Sequence, residues 1–356
     1  MNPTETWQFL SIEGDLSADF PLKIDDEVIL RAYETMVKTR HVDERMMTLQ
    51  RQGMISFCLS SSGEEACSVG TAAALSMQDW LYPQYREAAV MFWRGFSIEA
   101  FVHHMFGNSQ DLILGRQMPN HYGSRELNVV TVSSPIGTKI PHAAGAAYAM
   151  KLLKEKSCTL CYFGEGATSE GDFHCGLNFA AVRKAPAIFF CRNNGWAIST
   201  PASRQFASDG VVPKGIGYGI EAARIDGNDF FAVFLATHEA KVKALDGQGP
   251  ALIEAITYRM GAHSSSDDPS AYRTQAEVDS WLVKCPIRRL RKHLEKKGLW
   301  DEAREKTLIE TLRSETDLAI QKAKEVSLAP IEKMIEDVWA EVPERLQEEF
   351  DEACRS

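Results

Sequence analysis

Two apolar runs that each end in a polar turn constrain the fold more than any other feature of this chain. The first run, 158–163, leads into a Gly-Glu-Gly turn at 164–166, and the second, 187–191, leads into Arg-Asn-Asn at 192–194. Each run predicts a strand, and ligands of open α/β sheets bind at the turns after the carboxyl ends of strands. Glycines let backbone N–H groups approach a diphosphate. A carboxylate and an amide oxygen suit Mg²⁺, which takes few protein ligands beside phosphate oxygens.

The flanking segments predict an α/β fold, in which a parallel sheet is covered by helices on both faces and followed by a helical C-terminal extension. We expect an irregular N-terminal arm at 1–26, the α/β domain at 27–285 and the helical region at 286–356. The expected helices are 27–50, 61–74, one that Pro141 begins, 170–184 and 229–245, and the expected strands are 158–163, 187–192, 221–226 and 251–257.

Composition excludes several classes of protein. Apolar residues make up 44% and charged residues 25%, which is typical of a soluble globular core. The net charge of −10 argues against a nucleic-acid-binding surface. No segment reaches 18 apolar residues, so we expect no membrane span. The acidic residues 1–26 resemble neither a secretory signal nor a transit peptide. The eight cysteines are scattered along the chain, which is typical of reduced thiols. Together, the acidic N-terminal residues and the scattered cysteines favour a cytoplasmic protein.

Three local patterns have competing interpretations. Cys158 and Cys161 form a C-x-x-C, but both lie in a predicted strand and no second pair exists, which favours core thiols over zinc or redox chemistry. Glu64 and Glu65 follow serines at a predicted helix start, and acids there more often complement the helix dipole than act in catalysis. A dinucleotide site would need a third glycine where Ser169 stands, so that alternative is weak.

The strings around the two turns resemble the thiamine diphosphate-binding signature. Over about residues 30–345, the chain resembles the alpha subunits of the decarboxylating first components of 2-oxo acid dehydrogenase complexes. The glutamate between the glycines is closer to the branched-chain 2-oxo acid enzymes, because pyruvate and acetoin relatives more often carry aspartate. The other segments that carry the resemblance are 84–88, 115–119, 133–135, 162–172, 192–195, 197–200 and 258–264.

The resemblance implies specific contacts with thiamine diphosphate and Mg²⁺. Glu165, Asn194 and the carbonyl of Trp196 would hold the metal ion. The implied cofactor contacts are Gln84, Tyr85, Arg86, Ser134, Ile136, Gly164, Glu165, Gly166, Ala167, Arg192 and His263.

Three of these residues have further implied roles or competing interpretations. Among the cofactor contacts, Arg86, Arg192 and His263 would meet the diphosphate, in agreement with the preference of phosphates for cationic donors. His263 would also carry a proton during acyl transfer. Taken alone, His263 fits an ordinary loop histidine and Arg86 a surface ion pair, and only the family motif reverses that order.

The implied reaction is the oxidative decarboxylation of branched-chain 2-oxo acids, with reductive acylation of lipoamide on an acyltransferase partner. A glutamate needed to activate the cofactor comes from the beta subunit in this family, so an α2β2 heterotetramer with a shared active site is expected. A pyruvate or acetoin dehydrogenase alpha subunit is the alternative within the same chemistry. A nicotinamide-dependent oxidoreductase and a cofactor-free scaffold are alternatives of other classes.

Three positions depart from the family pattern or bear on its regulation. Lys139 follows the loop 133–138, where some relatives bind K⁺ and continue with glutamine. Its ammonium group either takes the place of that ion or, as lysines usually do, points to solvent. Ser264 matches a position that is phosphorylated in animal relatives, where added negative charge would repel the diphosphate. Ala262 stands where close relatives often have histidine, so that position is not expected to be essential.

Overall fold

The computed structural model describes residues 5–335 and 338–355. In these residues eight strands form: β1 (Thr6–Trp7), β2 (Trp80–Tyr82), β3 (Thr159–Gly164), β4 (Ala187–Asn193), β5 (Trp196–Ala197), β6 (Thr200–Pro201), β7 (Glu221–Asp226) and β8 (Ala251–Ile256). Six of them form one parallel sheet in the order β1-β7-β8-β4-β3-β2, and β5 pairs with β6 in a small antiparallel hairpin.

Helices cover both faces of the sheet, as the alternation of strands and helices predicts. The helices are α1 (Asp26–Arg51), α2 (Glu65–Ala74), α3 (Ala88–Trp93), α4 (Ile98–Phe106), α5 (Lys139–Leu153), α6 (Gly171–Arg183), α7 (Val212–Gly217), α8 (Phe230–Leu245), α9 (Gln275–Leu282), α10 (Pro286–Lys296), α11 (Glu302–Glu325) and α12 (Glu344–Arg355). α5, α6 and α7 contribute to the core on one face, and α1, α2, α8, α10 and α11 to the core on the other.

The central strands are apolar without alternation because both of their faces are buried. Along β3, Leu160 and Tyr162 belong to one hydrophobic core, whereas Cys161 and Phe163 belong to the other. Cys158 lies in the core opposite to that of Cys161, so the two thiols of the C-x-x-C cannot bind one metal ion. All eight cysteines are free thiols and six of them are buried.

Most predicted elements form within two residues of their expected bounds, but several short ones were not expected. β1 and β2 have two and three residues, too few for a periodic pattern, and α3 and α4 were also missed. The helix expected to begin at Pro141 begins at Lys139 instead. Proline remains within the first turn, where its missing N–H has no intrahelical partner to lose.

The segment that begins with β1 and the helices α10 and α11 pack onto the domain of the central sheet. β1 adds an edge strand beside β7, and the Asp229 carboxylate accepts hydrogen bonds from the backbone N–H groups of Phe9 (2.6 Å) and Leu10 (2.7 Å). Leu290 of α10 and Leu312 of α11 share the hydrophobic core of α1 and the sheet. The domain boundaries at residues 27 and 286 remain a prediction. No helix in the described part of the chain is long and apolar enough to cross a membrane.

Candidate functional site

The polar segments that follow four adjacent strands of the sheet line one cavity. β8, β4, β3 and β2 are neighbours and run parallel, so their carboxyl ends lie along the same edge. The segments that follow them enclose about 170 Å³. Twelve predicted residues line this cavity: Gln84, Tyr85, Arg86, Ile136, Gly164, Glu165, Gly166, Ala167, Arg192, Asn194, Trp196 and His263. The unpredicted lining residues are Ala197, Ile198 and Arg259.

Glu165 begins a short 3₁₀ turn directly after β3 and is only 1% exposed. Its Oε2 accepts a hydrogen bond from the backbone N–H of Asn194 (3.3 Å), whereas Oε1 has no partner. Burial raises the pKa of this carboxyl to about 7. A buried carboxylate oxygen without a partner is costly, and a cation at that oxygen removes the cost.

The Asn194 amide is held at both ends. Its Nδ2 donates to Glu64 Oε1 (2.7 Å), and its Oδ1 accepts from the backbone N–H of Trp196 (3.1 Å). The carbonyl of Trp196 accepts a long hydrogen bond from Arg259 Nη1 (3.4 Å). No group of three His, Cys, Asp or Glu side chains in residues 5–335 and 338–355 could hold a metal. A cation here would therefore need amide, carbonyl and ligand oxygens beside Glu165.

Arg192 is buried between two carboxylates. Its guanidinium bonds to Glu64 through Nη1 and pairs with Glu87 through Nη2 (2.7 Å), while Nε has no partner. Burial opposes ionisation of Glu64, but Arg192, Arg86 and the Asn194 amide hold the pKa of Glu64 below its usual value. Burial, with repulsion from Glu64 added, raises the pKa of Glu87.

The segment after β2 is shaped by Glu87. Its Oε2 accepts from the backbone N–H groups of Gln84 (2.9 Å) and Arg86 (3.0 Å), which turns these side chains toward the cavity. Gln84 Oε1 then accepts from the N–H of Gly164 (2.8 Å), joining the β2 and β3 segments. Arg86 Nη1 donates to the carbonyl of Ser60 (2.5 Å).

His263 faces two guanidinium groups. Its Nδ1 lies 3.4 Å from both Arg86 Nη2 and Arg259 Nη1. Because both neighbours only donate, Nδ1 accepts and the proton resides on Nε2. Burial, together with these two cations, lowers the pKa of His263 to about 4. Its backbone is fixed by a hydrogen bond from N–H to Asp267 Oδ2 (2.7 Å).

Several residues singled out from the sequence do not line the cavity. Ser134 is exposed, and its hydroxyl lies 2.7 Å from Nε2 of the buried His121. Lys139 is buried rather than pointing freely into solvent, and burial lowers its pKa. Ser264 is half-buried, and its hydroxyl accepts from the N–H of Ser266 (3.3 Å). Ala262 is also half-buried.

Sequence reasoning missed Glu64, Glu87 and Arg259 as parts of this site. Glu64 was interpreted through the helix dipole, yet it makes two contacts with the β4 turn. One signal could have identified it: α2 is rich in small apolar residues on all sides, which predicts a buried helix with buried acids at its start. Glu87 and Arg259 also meet residues that are distant in the sequence, since Glu87 pairs with Arg192 and Arg259 donates to the carbonyl of Trp196.

The fold and the cavity define an α/β protein with a strand-end site suited to an anionic ligand and a cation. The dehydrogenase E1 component family matches residues 33–332. The chain is 47% identical over 333 residues to the 2-oxoisovalerate dehydrogenase subunit alpha 1, mitochondrial, of Arabidopsis thaliana, covering 93% of this chain and 70% of the relative. The subunit alpha of Bos taurus is 48% identical over 334 residues (93% and 73%), and that of Homo sapiens is 47% identical over 330 residues (92% and 74%).

The chain belongs to the dehydrogenase E1 component family, which depends on thiamine diphosphate. The family resemblance found from residues 84–88, 162–172 and 192–195 is therefore confirmed, as is the predicted fold class. The roles of individual residues remain predictions.

Proposed function

We propose that this chain is the alpha subunit of a branched-chain 2-oxo acid dehydrogenase, which decarboxylates the substrate and transfers the acyl group to a lipoyl arm. The observation that carries the site assignment is the unpartnered Oε1 of Glu165, buried in a cavity whose other walls carry guanidinium groups. The names of the relatives, 2-oxoisovalerate dehydrogenase subunit alpha, support the substrate class.

The residues present fit thiamine diphosphate with Mg²⁺. Glu165 Oε1, Asn194 Oδ1 and the carbonyl of Trp196 offer a hard cation three oxygen ligands of the kind it prefers. The buried Nε atoms of Arg192 and Arg259 lack partners and suit phosphate oxygens. The bound cofactor supplies the carbanion chemistry of decarboxylation, and the protein supplies binding and orientation.

His263 would act beside the diphosphate end of the site. With its proton on Nε2 and Nδ1 accepting from two arginines, it presents a neutral N–H donor to the cavity. A bound diphosphate would add negative charge beside the ring and raise its pKa from about 4 toward the ordinary value. That change supports the proposed role of His263 in moving a proton during acyl transfer.

The small cavity supports a site shared with another chain. Sites for small molecules usually enclose about 300–1,000 Å³, whereas this one encloses about 170 Å³. It therefore suits one end of the cofactor. We propose that a beta subunit covers the rest in an α2β2 heterotetramer and that a lipoyl-bearing acyltransferase accepts the acyl group. The expression "subunit alpha" in the relatives' names supports a partner chain.

Co-production with a candidate beta subunit tests this proposal. We expect higher kcat/KM for 3-methyl-2-oxobutanoate and 4-methyl-2-oxopentanoate than for pyruvate. A clear preference for pyruvate would contradict the branched-chain assignment. Calorimetric titration of the same complex should show that thiamine diphosphate binds only with a divalent cation and that Glu165→Ala weakens this cation-dependent binding. Binding of a nicotinamide dinucleotide without metal would instead favour an oxidoreductase of another class.

The cytoplasmic location expected from the sequence remains a proposal. The three relatives described above are named as mitochondrial proteins. Immunoblotting of fractionated source cells separates the two locations, and recovery of the chain in an organelle fraction would contradict the cytoplasmic assignment.

A further inference from the structure

We propose that Glu64 is a positioning residue, which orients the Asn194 amide so that its oxygen faces the divalent cation. This inference rests on the proposed metal-dependent cofactor binding. Glu64 precedes α2 and is only 1% exposed. One carboxylate oxygen accepts from Arg192 Nη1, and the other accepts from Asn194 Nδ2 (2.7 Å). Glu64 thereby touches two residues of the β4 turn without lining the cavity.

The chemistry of Glu64 determines which way the amide points. A carboxylate that receives two hydrogen bonds can only accept, so the neighbouring amide must direct its NH₂ group toward it. The amide oxygen of Asn194 then points away from Glu64. One of its lone pairs accepts from the N–H of Trp196 (3.1 Å), which leaves a second one available on the cavity side. Only the oxygen end of an amide suits a hard cation such as Mg²⁺.

Arg192 prevents Glu64 from turning away. Its guanidinium is buried and is held on its other side by Glu87 (2.7 Å), so the Glu64 carboxylate is fixed between Arg192 and Asn194. α2 and β4 are thus joined at the point where the metal ligand leaves the strand. A partner that fixes the orientation of a ligand is a common feature of metal sites and strongly affects their affinity.

The preceding asparagine provides a matched comparison within the same turn. Asn193 Nδ2 donates to the buried Glu254 at the same distance, 2.7 Å, and Asn193 Oδ1 accepts from the N–H of Gly195 (3.2 Å). Asn193 does not line the cavity. Glu254 therefore holds an amide by the same type of bond, but one that has no part in the proposed cation site.

Glu64→Gln tests the inference. The introduced side chain has one acceptor, which Arg192 requires, so its NH₂ group would face Asn194. The Asn194 amide must then flip and turn its own NH₂ toward the cation. We expect the Mn²⁺ concentration for half-saturation to rise by about 10- to 100-fold. The readout is the electron paramagnetic resonance signal of free Mn²⁺, titrated into the chain with its partner subunit and thiamine diphosphate. Glu254→Gln should change the affinity by less than about threefold.

The double variant Glu64→Gln, Asn194→Asp reverses the polarity of the hydrogen bond without changing the net charge. The glutamine amide now donates to a carboxylate, whose second oxygen faces the cation whichever way it turns. We expect Mn²⁺ affinity within about threefold of the unaltered protein. A residue that only supported the local structure would not allow this rescue. If Glu64→Gln alone does not fold, the double variant still tests whether Glu64 orients the Asn194 side chain.

Three results would overturn the inference. Glu64→Gln could bind Mn²⁺ as the unaltered protein does, Glu254→Gln could weaken binding equally, or the folded double variant could remain as weak as the single one. Failure of the unaltered complex to bind Mn²⁺ with thiamine diphosphate is a separate result. It would refute the proposed cofactor binding itself, and with it any role of Glu64 toward the cation.

Discussion

Replacing Arg192 with methionine should destabilise the protein strongly, because Arg192 is the shared cation of two buried carboxylates. The side chains of Glu64 and Glu87 are 1% and 0% exposed, and Arg192 itself is 3% exposed. Removing one partner of a buried ion pair costs about 3–5 kcal/mol, because the remaining charge is left without compensation. We expect a loss of about that size in the free energy of unfolding at pH 7.5, measured by urea denaturation without cofactor.

The loss should depend on pH. In Arg192→Met the folded-state pKa of the uncompensated carboxyls lies above the unfolded value of about 4.3. Their favourable contribution is therefore present below pH 4.3 and lost as the pH rises through the folded-state pKa. The difference in unfolding free energy between variant and unaltered protein should be smaller at pH 5.5 than at pH 7.5.

Two further variants make this reasoning refutable. Arg192→Met with Glu87→Gln should regain part of the loss, because glutamine still accepts from the Gln84 and Arg86 N–H groups but carries no charge. Arg345→Met removes an exposed pair with Glu349 and should change the free energy of unfolding by less than about 1 kcal/mol. A loss below about 1 kcal/mol for Arg192→Met, or a double variant no more stable than the single one, would show that the two carboxylates do not depend on Arg192.

Three other perturbations have definite expected outcomes. His263, with a pKa of about 4, should react with diethylpyrocarbonate at the same rate at pH 7.5 and 5.5 in the cofactor-free protein, measured by peptide mass spectrometry. Free N-acetylhistidine in the same tube should slow by about tenfold as it protonates, and equal slowing would refute the lowered pKa. Burial raises the pKa of Asp43 from 3.8 to about 6. The contribution of Asp43 to the free energy of unfolding therefore falls as the pH rises through that range. Asp43→Asn should therefore gain up to about 3 kcal/mol relative to the unaltered protein between pH 4 and pH 7 in urea denaturation, and a difference that does not vary with pH would contradict this. Lys139 is buried, and if its ammonium takes the place of K⁺, replacing Na⁺ with K⁺ should not raise the thermal midpoint or activity. A clear gain would refute that hypothesis.

The sequence predicted the β3 and β4 turns because a parallel strand buried on both faces leaves an unbroken apolar run. Such a run marks its own carboxyl end, where Glu165 and Asn194 follow. The neighbouring positions of these two strands then bring both side chains to one cavity. By contrast, β1 and β2 are held by pairing with distant strands, and their two or three residues contain no pattern of their own.

Glu64 could not be predicted as a site residue because the residues that it contacts are distant in the sequence. Glu64 is separated from Arg192 by 128 positions and from Asn194 by 130. The local sequence at the start of α2 is the same whether Glu64 complements the helix dipole or holds a residue of the metal site. Only the packing of α2 against the sheet distinguishes these two roles. Within this chain the Ser134 hydroxyl meets His121, and the cofactor contact that the family motif implies for Ser134 stays a prediction.

The balance of buried charge explains why a cation and a diphosphate suit this site together. Arg86, Arg192 and Arg259 line the cavity, and the buried Glu64 and Glu87 pair with Arg192 beside it. Glu165 has a pKa of about 7, so it readily carries a proton when no cation compensates it. A diphosphate alone would bring several negative charges beside these carboxylates. A divalent cation alone would meet three guanidinium groups. The two charges nearly cancel when they enter as a pair, so each lowers the electrostatic cost of burying the other. That coupling follows from the positions of these charged groups. Replacing Glu165, the proposed cation ligand, should therefore weaken binding of the diphosphate as well as of the cation.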